Sequence, residues 1–211
     1  MYIVLTAIAV GLYMAWNIGA NDSANSMATA VGAKAISLKQ AVIIAGLLEF
    51  LGATLVGAHV TQTIRKGIID QSMIEANILV LGFLAALISA SLWVTFSTWK
   101  GLPISTTHSI VGAIIGFGVV CGGTSIINWK KFFEITLSWI ISPIAGCMIA
   151  FFIFKVIKNL IFDSKNPEKS AEKVTPVFVA LTFFIISISI LTKTKVGSYV
   201  RFNHLLLSLI I

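Results

Sequence analysis

Long apolar segments recur along most of this chain and limit the folds that it can adopt. They lie at residues 2–18, 40–60, 77–99, 109–127, 135–157 and 176–191. A helix that crosses a membrane needs about 20 mostly apolar residues, and these segments approach or reach that length. The sequence therefore predicts an all-α, polytopic membrane protein.

Composition excludes a soluble globular domain. Apolar residues make up 57% of the 211 residues and charged residues 11%, whereas soluble proteins average about 45–50% and about 25%. The net charge of +7 therefore indicates loops that orient helices against anionic lipid, and no nucleic-acid partner is expected. Cys121 and Cys147 both lie in apolar segments, so we predict that they are packing residues and not a disulfide.

A group of polar side chains follows Gly19 and interrupts the apolar sequence. It comprises Asn21, Asp22, Ser23 and Asn25. An ionised carboxylate in lipid costs at least about 2.5–3.5 kcal/mol, and unwound backbone is tolerated there only where it faces protein or water. We therefore expect a helix break whose Asn and Asp oxygens and freed carbonyls bind a hard cation such as sodium. The alternative is an ordinary loop with Asp22 or Ser23 as a helix N-cap.

A second interruption contains Pro103 and three consecutive hydroxyl residues, Ser105, Thr106 and Thr107. Proline suits the first turn of a helix, and Ser and Thr suit its cap. The unpaired N–H groups and positive dipole end of the following helix attract anions. With the apolar segments on either side, this pattern predicts a re-entrant-type helical hairpin whose tip binds an oxyanion. A capping motif without a ligand is the alternative.

Three other polar residues could take part in function. Glu49 lies inside an apolar segment and is either a coupling acid or a structural acid that pairs with a polar neighbour. His108 could bind a proton or a ligand, but we favour a structural role such as capping. Lys100 could steer anions, although a lysine that ends a helix at the membrane interface is commoner.

The distribution of charge predicts the organisation and orientation of the chain. A charged linker at residues 161–176 separates a first membrane unit, residues 1–160, from further transmembrane segments at 177–211. The final apolar run, residues 205–211, is too short to span a bilayer, so we expect a truncated helix and a longer parent protein. Lys and Arg are more frequent on the linker side, which predicts a cell-membrane protein with a cytoplasmic linker and an extracellular N-terminus.

The two interruptions resemble a known family. The runs GANDSANSMATAVGAKAIS, residues 19–37, and GLPISTTHSIVGAIIGFG, residues 101–118, resemble signatures of the inorganic phosphate transporter family, the PiT-type sodium- or proton-coupled phosphate symporters. The segment LLEFLGATLVGAHVTQTIRKGIID, residues 47–70, resembles the corresponding family segment, including its acid. The resemblance covers about residues 1–160, and the remainder is similar only in hydropathy.

Membership of this family would imply two inverted repeats with a binding site between them. The chain contains one Asn-Asp-x-x-Asn motif and one Ser-Thr-Thr motif, so we expect one half of an inverted-repeat transporter. A second repeat or a second chain, as in a homodimer, would complete the site. The implied function is symport of inorganic phosphate near the bilayer midplane, with sodium or a proton as co-substrate. No enzymatic activity, no cofactor and no metal other than the alkali ion is expected.

The resemblance and the chemistry of the residues together assign candidate roles. The predicted phosphate ligands are Asp22, Ser105, Thr106 and Thr107, and the predicted coupling-ion ligands are Asn21, Asp22, Asn25, Ser105 and Thr106. Two unit charges 4 Å apart interact by about 4 kcal/mol at an effective dielectric near 20. A cation between Asp22 and phosphate turns their repulsion into attraction, which couples the two sites.

Other functions are compatible with parts of this pattern. A permease for sulfate or another oxyanion of the same family is the main alternative, since hydroxyl-lined sites discriminate weakly by charge. A hydrolase with Ser105, His108 and Asp22 is disfavoured because no G-x-S-x-G motif surrounds the serine. A channel or a non-transporting receptor would differ from a symporter in lacking saturable, gradient-dependent uptake.

Overall fold

Six α-helices form most of the described chain. The computed structural model describes residues 1–193, apart from the side chains at positions 56, 58–66, 190, 192 and 193. The helices are α1 (Tyr2–Gly32), α2 (Leu38–Gly67), α3 (Ala76–Trp99), α4 (Thr106–Gly122), α5 (Trp129–Ile157) and α6 (Pro167–Lys193). Each contains, or forms with an adjoining turn, a stretch long and apolar enough to cross a membrane. This confirms the all-α, polytopic architecture, whereas the predicted helix at 205–211 lies outside the described residues.

The polar segment after Gly19 does not unwind. Helix α1 runs without interruption from Tyr2 to Gly32, so the prediction of a helix break there is wrong. The polar side chains are satisfied in the helical conformation: Asn25 Nδ2 donates to Asn21 Oδ1 over 3.3 Å, and Ser26 Oγ donates to the carbonyl of Asp22 over 3.0 Å. Because the backbone stays helical, side-chain oxygens are the ligands that this segment can offer.

The charged stretch before the last helix is also more ordered than the sequence indicates. A π-helical turn covers Lys158–Phe162, and α6 begins at Pro167 and includes Pro176. Proline suits a first helical position, and Glu168 lies in the first turn, where the helix dipole favours an acid. The expected linker at residues 161–176 is therefore mostly helical, with residues 163–166 forming a turn and bends.

Helices α3 and α4 form the predicted hairpin, with residues 100–105 between them. Helix α3 packs against both α1 and α4. At the contact between α3 and α4, a Cβ atom added to Gly82 would overlap the Phe117 ring, so a larger residue at position 82 would force that ring to move. The re-entrant insertion of the hairpin stays a prediction.

An apolar cluster holds the hairpin against α1. Its buried residues are Met14 on α1 and Ala90 and Val94 on α3. Partly buried apolar side chains pack around them: Ile18, Leu87, Ile104, Ile110 and Ala113. Because Ile104 belongs to the hairpin tip, the same cluster sets the position of the tip beside the polar turn of α1.

Main-chain hydrogen bonds join the connection after α2 to the connection after α4. Ile69 and Ile127 form an isolated antiparallel β-bridge. The Asp70 N–H donates to the Ile126 carbonyl over 2.8 Å, and the Asn128 N–H donates to the Ile68 carbonyl over 2.9 Å. The isoleucines at 68, 69, 126 and 127 are all buried, so this contact fixes the base of the hairpin.

The chain divides into two compact units, Met1–Phe132 and Phe133–Ile211. The first contains α1 to α4 and the polar interruptions. The second contains most of α5, the π-helical turn and α6, and none of its described residues is buried. Its exposed apolar side chains are typical of helices that face lipid. The functional boundaries predicted near residues 160 and 176 stay predictions.

Candidate functional site

The polar turn of α1 forms side-chain hydrogen bonds with three other helices. Thr106 Oγ1 at the start of α4 donates to Asp22 Oδ2 over 3.1 Å. Asn21 Nδ2 donates to Thr98 Oγ1 on α3 over 3.0 Å, and Ser23 Oγ donates to Glu49 Oε1 on α2 over 2.6 Å. Asn21 and Thr106 are buried. The two polar interruptions of the sequence therefore meet at one place in the fold.

The carboxylate of Asp22 lies at the N-terminal end of α4. Ser105 is the N-cap of this helix, and its hydroxyl accepts a hydrogen bond from the His108 N–H over 3.3 Å. Thr106, the partner of Asp22, is the first helical residue. The positive end of a helix dipole favours an anion within its first turn. This site therefore suits one negative group, and Asp22 fills that role in the structure.

The predicted ligands at the hairpin tip differ in their environment. Ser105, Thr107 and His108 are exposed, whereas Thr106 is 8% exposed. Of the three tip hydroxyls, the described hydrogen bonds bring that of Thr106 alone to Asp22. Lys100 is the C-cap of α3, and its ammonium lies 4.3 Å from the centre of the Trp99 ring, an arrangement that suits a lysine at the end of a membrane helix.

Glu49 and Asn25 lie at the edges of this site. Glu49 is exposed on α2 and contacts α1 through Ser23, which is the pairing that a structural acid would make. Asn25 is exposed and donates to Asn21. The roles of Glu49 in coupling and of Asn25 in ion binding stay predictions.

A second polar contact joins α1 and α3 one helical turn before the first. Thr95 Oγ1 on α3 donates to Asn17 Oδ1 over 2.7 Å, and Asn17 Nδ2 donates to the Tyr13 carbonyl over 3.0 Å. The hydroxyls of Tyr13 and Thr95 are hydrogen-bonded to each other. Asn17 is 1% exposed, so its amide is satisfied inside the helix pair, as a buried polar group must be.

Sequence reasoning did not single out these residues of α1 and α3. The signal was present in their spacing, because polar side chains recur every four residues on one face of α1, at positions 13, 17, 21 and 25. Residues four apart lie on the same face of a helix. Ser91 and Thr95 repeat this spacing on α3. Thr98, the partner of Asn21, lies three residues after Thr95 and seven after Ser91, so it shares this face of α3.

These features define a class of protein: a polytopic, all-helical membrane protein with a polar site where one helix meets the tip of a helical hairpin. The family model described as "Phosphate transporter family" matches residues 18–210. The chain therefore belongs to the phosphate transporter family, as the motifs predicted, and it is a multi-pass membrane protein.

Known proteins and a solved structure are similar to this chain over most of its length. The chain is 54% identical over 194 residues to a candidate phosphate permease of Pyrococcus abyssi, covering 92% of this chain and 48% of that protein. It is 42% identical over 188 residues to the chloroplastic inorganic phosphate transporter 2-1 of Arabidopsis thaliana, covering 88% and 32% respectively. A solved structure described as "The sodium-dependent phosphate transporter" matches with a TM-score of 0.81 and 51% identity, covering 86% of this chain and 45% of that one. The chain thus spans about half the length of the matched Pyrococcus abyssi protein and about a third of the Arabidopsis thaliana one.

Proposed function

We propose that this chain forms one half of a sodium-coupled inorganic phosphate symporter. The observation that carries the proposal is the hydrogen bond of 3.1 Å between Thr106 and Asp22, which joins the predicted anion site to the predicted cation site. Two further facts support it: relatives are named for phosphate transport, and the matched solved structure is described as sodium-dependent.

In this proposal the coupling ion binds to side-chain oxygens around Asp22. Hard cations prefer carboxylate, amide and hydroxyl oxygens, and Asp22 supplies the negative charge. Asn21 and Asn25 supply amide oxygens from the same helical turn, while Ser105 and Thr106 supply hydroxyl oxygens from the hairpin tip. Because α1 is continuous, its backbone carbonyls are not part of this ligand set.

Phosphate binds at the same helix end through the hydroxyls of Ser105, Thr106 and Thr107 and the unpaired N–H groups of α4. Asp22 competes for this position, because its carboxylate accepts the Thr106 hydroxyl and would repel a bare phosphate. That repulsion is about 4 kcal/mol for unit charges 4 Å apart at an effective dielectric near 20. A sodium ion on Asp22 removes the repulsion and frees Thr106. Phosphate therefore binds after sodium, and the two affinities are reciprocally linked.

The membrane context of the proposal follows the family resemblance. A second repeat or a second copy in a homodimer completes the site near the bilayer midplane, with α3 and α4 as the re-entrant hairpin. The N-terminus is extracellular and residues 161–176 are cytoplasmic. A proton gradient without sodium would drive uptake if protons were the coupling ion.

Replacing Asp22 by Asn tests the coupling, since Asn keeps the shape and an acceptor for Thr106 but removes the charge. We expect Asp22→Asn to reduce sodium-stimulated uptake of labelled phosphate by the complete protein in proteoliposomes at least about 100-fold. Asp22 is half-buried. A carboxylate and a cation 4 Å apart attract each other by about 4 kcal/mol at an effective dielectric near 20, which exceeds the roughly 2.8 kcal/mol that a 100-fold effect requires. Asp163→Asn is the matched control, because Asp163 is exposed in the turn before α6. Unchanged sodium dependence in Asp22→Asn would refute the proposal.

Replacing Thr106 by Val tests the anion site. A hydrogen bond to a charged group contributes about 1.5–3 kcal/mol, so we expect Thr106→Val to raise the KM for phosphate about tenfold or more. Competition by unlabelled sulfate in the same assay distinguishes a phosphate symporter from a permease for oxyanions in general. An unchanged KM in Thr106→Val would remove the hairpin tip from the binding site.

A further inference from the structure

Two asparagines one helical turn apart on α1 present their amides to α3 in opposite orientations. Asn17 directs its oxygen toward α3, where Oδ1 accepts from Thr95 over 2.7 Å. Asn21 directs its nitrogen toward α3, where Nδ2 donates to Thr98 Oγ1 over 3.0 Å. Both side chains are buried, at 1% and 5% exposure. The orientation of each amide therefore matches the role of the threonine that faces it, because Thr95 donates a hydrogen bond and Thr98 accepts one.

The orientation decides which asparagine has an oxygen to offer. The Asn17 oxygen is engaged by Thr95, and its nitrogen donates to the Tyr13 carbonyl, so both groups are used within the helix pair. The Asn21 oxygen instead points along α1, where Asn25 donates to it over 3.3 Å. This contact is long for a hydrogen bond between neutral groups, and it lies on the turn that carries Asp22.

We propose that Thr98 is a positioning residue for the coupling ion: by accepting the Asn21 amide N–H, it holds the Asn21 oxygen on the side of the ion site. The inference rests on the proposed function and deepens it. A cation is bound by the amide oxygen and repelled by the amide NH₂ group, so the two orientations of this side chain differ in whether Asn21 can act as a ligand. Thr98 itself need not touch the ion.

The hydrogen bond between Asn21 and Thr98 also joins α1 to the hairpin. Thr98 lies in the last turn of α3, and the same hairpin carries Thr106 at the start of α4. The Asn21–Thr98 and Asp22–Thr106 hydrogen bonds thus join consecutive residues of α1 to the two sides of the hairpin tip. Residues that orient a metal ligand by hydrogen bonding, without contacting the metal, typically contribute a factor of about 10–100 to metal affinity.

The test compares Thr98→Val, which keeps the shape and removes the acceptor, with Thr98→Ser, which keeps the hydroxyl. Uptake of labelled phosphate by the complete protein is measured against sodium concentration. We expect Thr98→Val to raise the half-saturating sodium concentration about tenfold, with an unchanged KM for phosphate at saturating sodium. Thr98→Ser should restore the value of the unmodified protein.

Two controls separate positioning from a structural role. Thr54→Val removes a hydroxyl that donates to carbonyls of its own helix, those of Phe50 and Leu51, and should leave the sodium curve unchanged. Thr95→Val disturbs the Asn17 contact and should lower the amount of folded protein without moving the half-saturating sodium concentration. The inference would be overturned if Thr98→Val lowered only the maximal rate of uptake. It would also be overturned if Thr98→Ser shifted the half-saturating sodium concentration as much as Thr98→Val.

The outcomes also separate this inference from the proposed function. If uptake needs sodium and Asp22→Asn abolishes it while Thr98→Val matches the unmodified protein, the positioning role fails and the symporter stands. If uptake by the unmodified protein is independent of sodium, the proposed sodium coupling is refuted, and the positioning role that rests on it is refuted as well. Should Thr98→Val not accumulate in the membrane, Thr98→Ala is judged by the same sodium curve and by sodium-dependent thermal stabilisation of the purified protein.

Discussion

The two compact units of the chain differ in what their helices bury. In the unit Met1–Phe132, helices α1, α3 and α4 bury polar side chains between them: Asn17, Asn21, Ser91, Ser97 and Thr106. In the unit Phe133–Ile211, the described residues of α5 and α6 include no buried side chain. Polar groups in lipid need partners within the protein, so the buried polar side chains of the described residues lie where helices contact one another.

This contrast gives different expectations for substitutions in the two units. In the first, an added or lost atom changes a packed contact or a hydrogen bond between helices. In the second, most side chains are exposed and apolar, as on a lipid-facing surface. Two pairs of measurements, each with one site in either unit, and a further measurement in the first unit sharpen or break the comparison.

The largest difference in stability is expected between two glycine-to-alanine substitutions, one in each unit. Gly82→Ala places a Cβ atom in overlap with the Phe117 ring, which must then move, and overpacking of this kind costs about 1–3 kcal/mol. Gly146→Ala on α5 meets no atom within 4 Å and should be neutral or stabilise by up to about 1 kcal/mol through helix propensity. The midpoint of thermal unfolding of the purified protein measures both.

A compensating change checks the cause of the Gly82 effect. Phe117→Leu removes the ring that the new methyl group would meet, so adding it to Gly82→Ala should recover part of the lost stability. Equal shifts for Gly82→Ala and Gly146→Ala would show that the two units do not differ in packing as described.

A smaller effect is expected from the hydrogen bond between Thr95 and Asn17. A double-mutant cycle with Thr95→Val and Asn17→Ala should give a coupling free energy of about 0.6 kcal/mol, and at most about 1.7, as for other hydrogen bonds between membrane helices. Thr182→Val in α6 is the control, because its hydroxyl donates to the Phe178 carbonyl of the same helix. A coupling of zero would mean that the contact does not join α1 and α3 energetically.

The smallest effect is expected from Asp70, in the connection between α2 and α3. The hydroxyl and the N–H of Ser72 donate to its carboxylate at 2.6 and 3.0 Å and lower the pKa of Asp70 below its ordinary value of 3.8. A lowered pKa stabilises the fold above the ordinary value, and this contribution is lost as the pH falls through the lowered one. Asp70→Asn should therefore lower the thermal midpoint slightly at about pH 7, and this difference should shrink as the pH falls below the ordinary pKa of 3.8. A difference that persists in acid would assign the effect to another cause.

Much of the fold follows from the sequence because hydropathy alone marks membrane helices. The hairpin also follows, since Pro103 and the Ser-Thr-Thr run mark the start of α4 beside two apolar segments. The meeting of Asp22 and Thr106 was predicted from two motifs whose chemistry is complementary. Its effect on ion and phosphate binding is still a prediction.

The continuity of α1 could not be predicted in the same way. Locally, Asn21-Asp22-Ser23 resembles a break, because polar side chains in an apolar helix need partners that the helix does not supply. Those partners are on other helices, namely Thr98, Thr106 and Glu49. Their distance along the chain hides them from any local pattern.

The orientation of the Asn21 amide shows a second limit of the sequence. Asn17 and Asn21 have the same residue type and lie on the same face of α1, yet their amides point in opposite directions. The difference depends on whether a threonine of α3 donates or accepts. Spacing identifies residues that share a face, but it does not specify the direction of a hydrogen bond.

The bridge between Ile69 and Ile127 means that the base and the tip of the hairpin are held by different kinds of hydrogen bond. Main-chain bonds join the base to the end of α2, whereas the hydrogen bonds between the tip and α1 come from the side chains of Thr98 and Thr106. A solute that replaces those side-chain bonds would leave the tip held by the apolar contacts of Ile104, while the main-chain bonds at the base stay intact.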